Sequence, residues 1–415
     1  MNQRRIMLLT TARSYRGGAF LQAAERLGIE VVQVVDMSKD LADYWHCPLG
    51  VDFTQPEAAL QALLDYVAKK PVQAILAIDD SGSLLAARAS AALGLPHNSQ
   101  EAALAARDKQ VMRTLMAAGG APCPVFRSFS TADDPQLVAT KVSYPCVVKP
   151  LNLNGSRGVI RADNPAELVK AIQRLMRLLG QDQAGGQTYT YLVEDFIPGF
   201  EVALEGMLDE GKLTVLALFD KPDPLDGPFF EETIYVTPSR LPTTTQAAIA
   251  QSVATAAHAL GLQMGPIHAE LRVNEKGPWM LEVAGRSIGG LCSQVLRFGV
   301  DESLEELILR QACGLPLLTT EREGKAAGVM MIPIPAAGIL QRVEGVEEAR
   351  QTPLVEGVEI TARINYPITP LPEGESYLGF IFAKGETPDQ VEAALRTAHS
   401  KLHFQITPEL TLLAL

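Results

Sequence analysis

The sequence predicts a mixed chain: an α/β N-terminal part built on a parallel sheet, then α+β units built on antiparallel strand pairs. Three observations carry this. Up to about residue 105, short apolar runs alternate with helical segments, the pattern of a parallel sheet covered by helices on both faces. From Gly265 to Gly290, two short strands are joined by Asn274-Glu275-Lys276-Gly277-Pro278, a run dense in hairpin formers. After about residue 320 the composition shifts, and the charged stretch Glu321 to Lys325 leads into further short strands.

In chain order, Ile6 to Leu9, Val31 to Val35 and Ala74 to Ile78 read as buried strands. Ala19 to Leu27, Ala58 to Ala68 and Ser83 to Leu93 read as helices, the last closed by Gly94 and Pro96. The loop after the first strand carries Ser14, Arg16, Gly17 and Gly18, where such sheets bind ligands, but it lacks a G-x-G-x-x-G fingerprint, so nothing specific points to a dinucleotide. Glu101 to Ala118 is expected as one helix with Arg107, Asp108 and Lys109 in its middle, where a lysine is ordinarily solvated. Pro122-Cys123-Pro124 is a stiff connector. Strands follow at Cys146 to Pro150, Tyr191 to Ile197, Phe200 to Gly206 and Leu213 to Phe219, with a helix over Asn164 to Leu179 and a loop over 182–187. Pro222 to Pro228 is a loop, Phe229 to Thr233 returns to order, and Gln246 to Leu260 is helical. The hairpin strands are Ile267 to Val273 and Trp279 to Val283, followed by a helix over Glu302 to Cys313. The tail holds strands at Gly328 to Ile334, Glu359 to Tyr366 and Tyr377 to Ala383 and a helix over Pro388 to Lys401.

Length and composition set bounds. A chain of 415 residues that is 47% hydrophobic has room for two to four domains. A net charge of −12 argues against bulk nucleic-acid binding, which needs basic surface. No apolar run reaches membrane-spanning length, and the N-terminal apolar run is too short for a signal peptide. Five scattered cysteines without CxxC spacing fit a reducing cytoplasm and argue against structural zinc or a disulfide framework.

The hairpin carries Glu270 on one strand and Glu282 on the other. Period-two alternation allows both carboxylates to point the same way. Like charges facing each other weaken a sheet unless a hard cation sits between them, and Mg²⁺ takes carboxylate oxygens together with substrate phosphates. Arg286 follows in a glycine-rich bend, a fixed cation suited to developing charge. Lys149 lies at the end of an apolar strand, where a buried ammonium needs a partner such as a phosphate. The next loop, with Gly155, Ser156 and Gly158, has free backbone N–H groups that suit either phosphate binding or a plain hairpin turn. Each piece alone has an ordinary alternative: solvated acids, a surface lysine, a turn.

Taken together in this order, Lys109, Lys149-Pro150, the Gly155/Gly158 loop, Glu194 to Ile197, Glu201, Glu270 and Glu282 to Arg286 resemble the ATP-grasp superfamily, and within it the carboxylate–amine ligases that include L-amino acid ligases. The resemblance covers nearly the whole chain. It implies a Rossmann-like N-terminal domain (1–105), a mobile lid subdomain (106–190), a large antiparallel-sheet domain (191–318) and a C-terminal α+β extension (319–415), with ATP between lid and large domain. It implies that Lys109 and Lys149 contact ATP phosphates and that Gly155, Ser156 and Gly158 cover them. Glu194 and Ile197 would hold adenine, and Glu201 the ribose. Glu270 and Glu282 would ligate Mg²⁺ or Mn²⁺, and Arg286 would meet the acyl phosphate. Glu232 lies on a loop similar to one that holds a substrate amino group, and His268 precedes the first metal glutamate by two residues, in a core or a substrate role. Ala284 stands where many members carry a ligating asparagine, and Gly290 where a bulky residue can narrow the acyl pocket, which implies a roomier site. The implied reaction joins a small-molecule carboxylate to an amine through an acyl phosphate. A purine-biosynthesis-type ligase and a non-catalytic nucleotide-binding regulator are the competing expectations. Related enzymes are commonly homodimers.

Overall fold

The computed structural model describes residues 4–12, 14–181 and 188–408; the loop expected over 182–187 lies outside them. Four parallel strands, β1 (Arg5–Thr11), β2 (Glu30–Asp36), β3 (Leu49–Val51) and β4 (Ala74–Ala77), pair in the order β3-β2-β1-β4. Ile6 to Leu9 on β1 are wholly buried, because helices cover both faces of the sheet. Strand order reverses between β1 and β4, so a crevice opens at their carboxyl ends. Thr11, Ser14 and Arg16 after β1, and Asp79 and Asp80 after β4, stand at that crevice.

The helix expected over Glu101 to Ala118 is two helices, Gln100–Ala105 and Lys109–Ala118. Asp108 breaks them: its side chain accepts from the N–H groups of Gln110 and Val111 and so caps the second helix. Lys109 is therefore a first-turn residue, 5% exposed, and not a solvated one. A second sheet follows, β5 (Phe126–Ser130), β6 (Cys146–Pro150), β7 (Ile160–Ala162) and β8 (Thr190–Asp195), in the order β5-β8-β6-β7. Cys146 and Val148 point into its core against the helix Pro165–Gln181. Val147 and Lys149, one residue out of phase, face the opposite side.

The largest sheet begins with β9 (Phe200–Asp209), β10 (Lys212–Lys221), β11 (Ile234–Thr237), β12 (Gly265–Asn274) and β13 (Gly277–Ala284). Residues 229–233, expected to be ordered, form no regular element. A small ribbon, β14 (Arg297–Phe298) with β15 (Glu302–Ser303), precedes the helix Leu304–Ala312. The tail supplies β16 (Ala326–Ile332), β17 (Gly338–Glu344), β18 (Val355–Ile360), β19 (Pro367–Ile368), β20 (Gly379–Gly385) and β21 (His403–Thr407). The strand expected to run to Tyr366 ends at Ile360, and β17, β19 and β21 form a small sheet of their own. The eight-stranded sheet runs β13-β12-β9-β10-β11-β16-β20-β18, so strands from before and after residue 319 complete one layer. The helix Pro388–His399 seals this seam with the wholly buried Leu395.

Cross-strand register arranges one face of this sheet in rows. Lys221, Glu201 and Arg272 stand opposite one another; next come Ala203, Glu270 and Glu282; then Glu205, His268 and Ala284. The other face buries Val202, Leu204, Ala269, Leu271, Met280 and Val283 against the helices Lys109–Ala118 and Thr243–Leu260. The third row is tied inward: His268 Nδ1 lies 3.1 Å from Glu205 Oε2, and both Glu205 oxygens accept from the Ile288 N–H at 3.1 Å. Burial resists charging His268, yet the hydrogen bonds and charges of Glu205 and Glu270 outweigh it and raise its pKa to about 9.

Truncating Leu395 to alanine is expected to cost about 2–5 kcal/mol, a core-cavity penalty, with a single cooperative urea transition retained across the seam. His268 has a folded pKa above its ordinary unfolded value, so its stabilisation is complete below about pH 6.5 and is lost as pH rises through about 9. Urea midpoints are expected to fall across that window, and His268→Gln is expected to flatten the fall.

Candidate functional site

The crevice of the parallel sheet, the free face of the second sheet and the acidic face of the large sheet meet around one cavity of about 1200 Å³. Of the residues singled out in the sequence, Lys109, Lys149, Gly155, Ser156, Glu194, Ile197, Glu201, Glu232, His268, Glu270, Glu282, Arg286 and Gly290 all line it. Gly158 does not. Its N–H donates to Pro372 O, and with φ at 74° a Cβ there would stand 3.1 Å from Leu175 and Leu178, so its glycine serves packing.

The two hairpin glutamates are direct cross-strand partners on the cavity wall. Glu270 Oε1 accepts from Lys221 Nζ at 3.0 Å and from the Tyr235 hydroxyl at 3.3 Å. Lys221 and His268 hold the Glu270 carboxyl well below its usual range despite burial. Glu282 is partly exposed and lies 3.5 Å from Lys109 Nζ. These hard oxygen donors, facing one space, suit a divalent cation; Ala284, in the next row, offers no ligand atom.

Lys221 was not anticipated. Its ammonium sits among Glu201 (2.9 Å), Glu232 and Glu270 (3.0 Å), whose ligand atoms come within 4.8 Å of one another. A fixed cation thus occupies what would otherwise be a carboxylate trio, and the carboxylates raise the pKa of Lys221 well above its ordinary value against the effect of burial. Burial and the neighbouring Glu270 lift the Glu232 carboxyl to about 7. The second oxygen of Glu201 accepts from Arg272 Nε at 3.0 Å, so this expected ribose acceptor is anchored on both sides.

Glu194, expected near adenine, is wholly buried between Arg113 (2.8 Å) and Lys149 (2.7 Å). Both cations keep it ionised in spite of burial. Lys109 Nζ donates to Leu153 O at 3.0 Å, which ties it to the start of the glycine loop. That loop is fastened to the tail by Arg157, whose Nε donates to Glu373 O at 2.9 Å, and the neighbouring helix Pro165–Gln181 is tied to the same residue by Arg174, in a two-point ion pair with Glu373 (2.5 and 2.8 Å).

Arg286 was expected to be a fixed cation; Asp80, just after β4, holds it at 2.8 and 2.9 Å. The adjacent Ser287 is clamped by Arg16, whose Nη2 donates to Ser287 Oγ at 2.6 Å and Ser287 O at 3.3 Å. Gly290 has φ at 62°, and a Cβ there would stand 3.1 Å from Phe380 Cε1 and 3.3 Å from Cys292 Sγ. The room expected at Gly290 is thus partly taken by Phe380, a ring reaching in from the tail. Asp80, Glu205 and Lys221 were missed as site residues, and Arg16, named in the loop after the first strand, was given no role toward Ser287. Lys221-Pro222 repeats the Lys149-Pro150 pattern at a strand end, and that signal was present.

Family models agree with this geometry. One described as an ATP-grasp domain matches residues 142–295, an ATP-grasp N-terminal domain matches 21–97, and L-amino acid ligase C-terminal domain 2 matches 330–407. The alanine–anticapsin ligase of Bacillus subtilis is 25% identical over 313 residues, covering 70% of this chain and 65% of that protein. An uncharacterised protein of Sinorhizobium fredii is 27% identical over 304 residues, covering 72% of this chain. This chain spans 61% and 65% of the lengths of those two curated relatives. The crystal structure of L-amino acid ligase from Bacillus licheniformis superposes with a TM-score of 0.83 at 27% identity, covering 98% of this chain and 100% of that one. Phosphoribosylglycinamide synthetase from Anaerococcus prevotii shares the fold at 17% identity and a TM-score of 0.68. The three matched segments, in this order and around this cavity, place the chain in the ATP-grasp superfamily.

Proposed function

We propose that the chain forms an amide bond at the expense of ATP, joining the carboxylate of an amino acid or a similar acid to the amine of an amino acid, with release of ADP and phosphate. The observation that carries this is the direct pairing of Glu270 with Glu282 on a wall shared with Lys109, Lys149 and Arg286. The likeness to alanine–anticapsin ligase and to an L-amino acid ligase supports it. Five unpaired cysteines fit work in a reducing cytoplasm.

In this reading the substrate carboxylate attacks the γ-phosphorus of ATP, giving an acyl phosphate and ADP. The neutral amine then adds to the acyl carbon, and the tetrahedral species loses an N–H proton and expels phosphate, which leaves carrying that proton as hydrogen phosphate, to give the amide. The protein supplies position and charge. Lys109 and Lys149 neutralise phosphate oxygens, and the N–H groups around Gly155 and Ser156 cover them. Glu194 and Ile197 border the base, Glu201 the ribose. Arg286, aimed by Asp80, stabilises charge on the acyl phosphate and the tetrahedral oxygen. Glu232 receives a substrate ammonium. Glu270 and Glu282 would hold Mg²⁺ or Mn²⁺, which when bound neutralises charge at the transferring phosphate. Arg157 on the loop and Arg174 on the helix behind it both hold Glu373, a shared anchor that would keep the glycine loop over the site and water out.

Release of ADP and phosphate is expected only when a carboxylate, an amine and Mg²⁺ are all present, with an amide product seen by mass spectrometry. ATP binding without ADP formation for any pair would favour the regulatory reading. Glu282→Gln is expected to lower turnover by at least about 100-fold with an unchanged urea midpoint. Arg174→Ala is expected to loosen the closed loop, so that phosphate released exceeds amide formed; a ratio that stays at one would refute the role of this ion pair.

A further inference from the structure

Resting on the ligase reading, we propose that Tyr15 and Tyr377 form the walls of the side-chain pocket for the substrate whose carboxylate is activated, and that this pocket selects an α-amino acid with a large apolar side chain. The two tyrosines come from opposite ends of the chain. Tyr15 sits in the loop after β1, and Tyr377 just before β20. Both line the cavity with Ile288, Cys292 and Met331. Behind them stands the wholly buried Phe380, packed edge-on against Tyr15 (centroids 5.8 Å apart) and tilted against Tyr377 (6.1 Å). The same ring backs Gly290, so the glycine lets the Arg286 loop lie flat against an aromatic floor. Cys292 Sγ and Met331 Sδ, 3.8 Å apart, add a soft, polarisable patch to this lining.

The chamber lies where an amino acid would need it. An ammonium and a side chain leave the same Cα, so the side-chain pocket must border the ammonium site. Tyr377 and Glu232 line the same cavity, so the side-chain pocket and the expected ammonium site open onto one space. The chamber also adjoins the carboxylate end of the site, since Ile288 and Gly290 flank the loop that carries Arg286. A methyl side chain would leave rings and sulfur atoms facing trapped space, whereas a ring or long aliphatic chain would fill it and bury apolar area.

The test pairs one fixed amine acceptor with a panel of carboxylate donors and follows ADP and amide formation. The wild-type protein is expected to favour phenylalanine, leucine and methionine over alanine and glycine by about tenfold or more in kcat/KM. Tyr377→Ala is expected to reduce the phenylalanine-to-alanine ratio by about tenfold, mainly through KM, while Tyr377→Phe retains it. Tyr15→Ala, at a residue that is 46% exposed and safe for folding, is expected to shift the ratio in the same direction. A wild-type preference for alanine or glycine, or an equal loss for all donors in both alanine variants, would overturn the proposal. If no pair yields ADP, the ligase reading fails instead. Calorimetric titration of phenylalanine against alanine, with a non-hydrolysable ATP analogue bound, then decides the pocket: tighter phenylalanine binding that Tyr377→Ala abolishes sustains it, and equal binding refutes it.

Discussion

The site depends on one electrostatic constraint: a cavity wall crowded with carboxylates, most of which are matched to a fixed cation. Glu201 has Lys221 and Arg272, Glu270 has Lys221, and Glu194 has Arg113 and Lys149. Asp80 has Arg286, and Glu205 faces His268. An unpaired buried charge is expensive, and removing one partner of a buried pair typically costs about 3–5 kcal/mol. The pairs therefore fix one another's positions. Strand register does the first part of the work by setting Lys221, Glu201 and Arg272 in one line across three strands.

This constraint explains how such a cleft can accept a triphosphate. Lys109 is buried, Lys149 is half-buried, and both are tethered, so they are oriented before any ligand arrives. Desolvation lowers the pKa of Lys149 although Glu194 opposes it, so an anion placed beside it would favour the charged form. Glu270 and Glu282 form the opposite arrangement, acids drawn together with less cation than they need. Phosphate and metal would each complete a local charge balance that the protein leaves open. Such preorganisation spares reorganisation at the moment of reaction.

Much of this was legible in the sequence, and the reasons are local. The hairpin announced itself through a turn of Asn, Gly and Pro, but unbroken alternation from that turn would set Glu270 opposite Leu281; the β-bulge between Glu270 and Leu271 brings it opposite Glu282, and nothing in the sequence marked that bulge. Lys149 stood out as a charge inside an apolar strand. What was not legible depends on contacts between distant segments. What fixes Arg286 could not be named because Asp80 lies 206 residues away. Lys109 looked solvated because the break at Asp108 depends on a side-chain cap inside a run of good helix formers. Lys221 was missed because its strand was ended at Phe219, two residues early, although Lys-Pro at a strand end had already been a useful signal.

Gly290 shows why the substrate pocket resists sequence reading most. A glycine read by itself implies space. In the fold, its positive φ and the ring of Phe380 account for it, and Phe380 comes from β20, 90 positions along the chain. The shape of the pocket is thus set jointly by the N-terminal loop, the loop after β13 and the tail, none of which fixes it alone. A tail strand that joins the central sheet can bring its own aromatic residues to the chemistry. Changes in the tail can then alter which side chain fits while the acid–cation rows, built on other strands, keep the reaction itself intact.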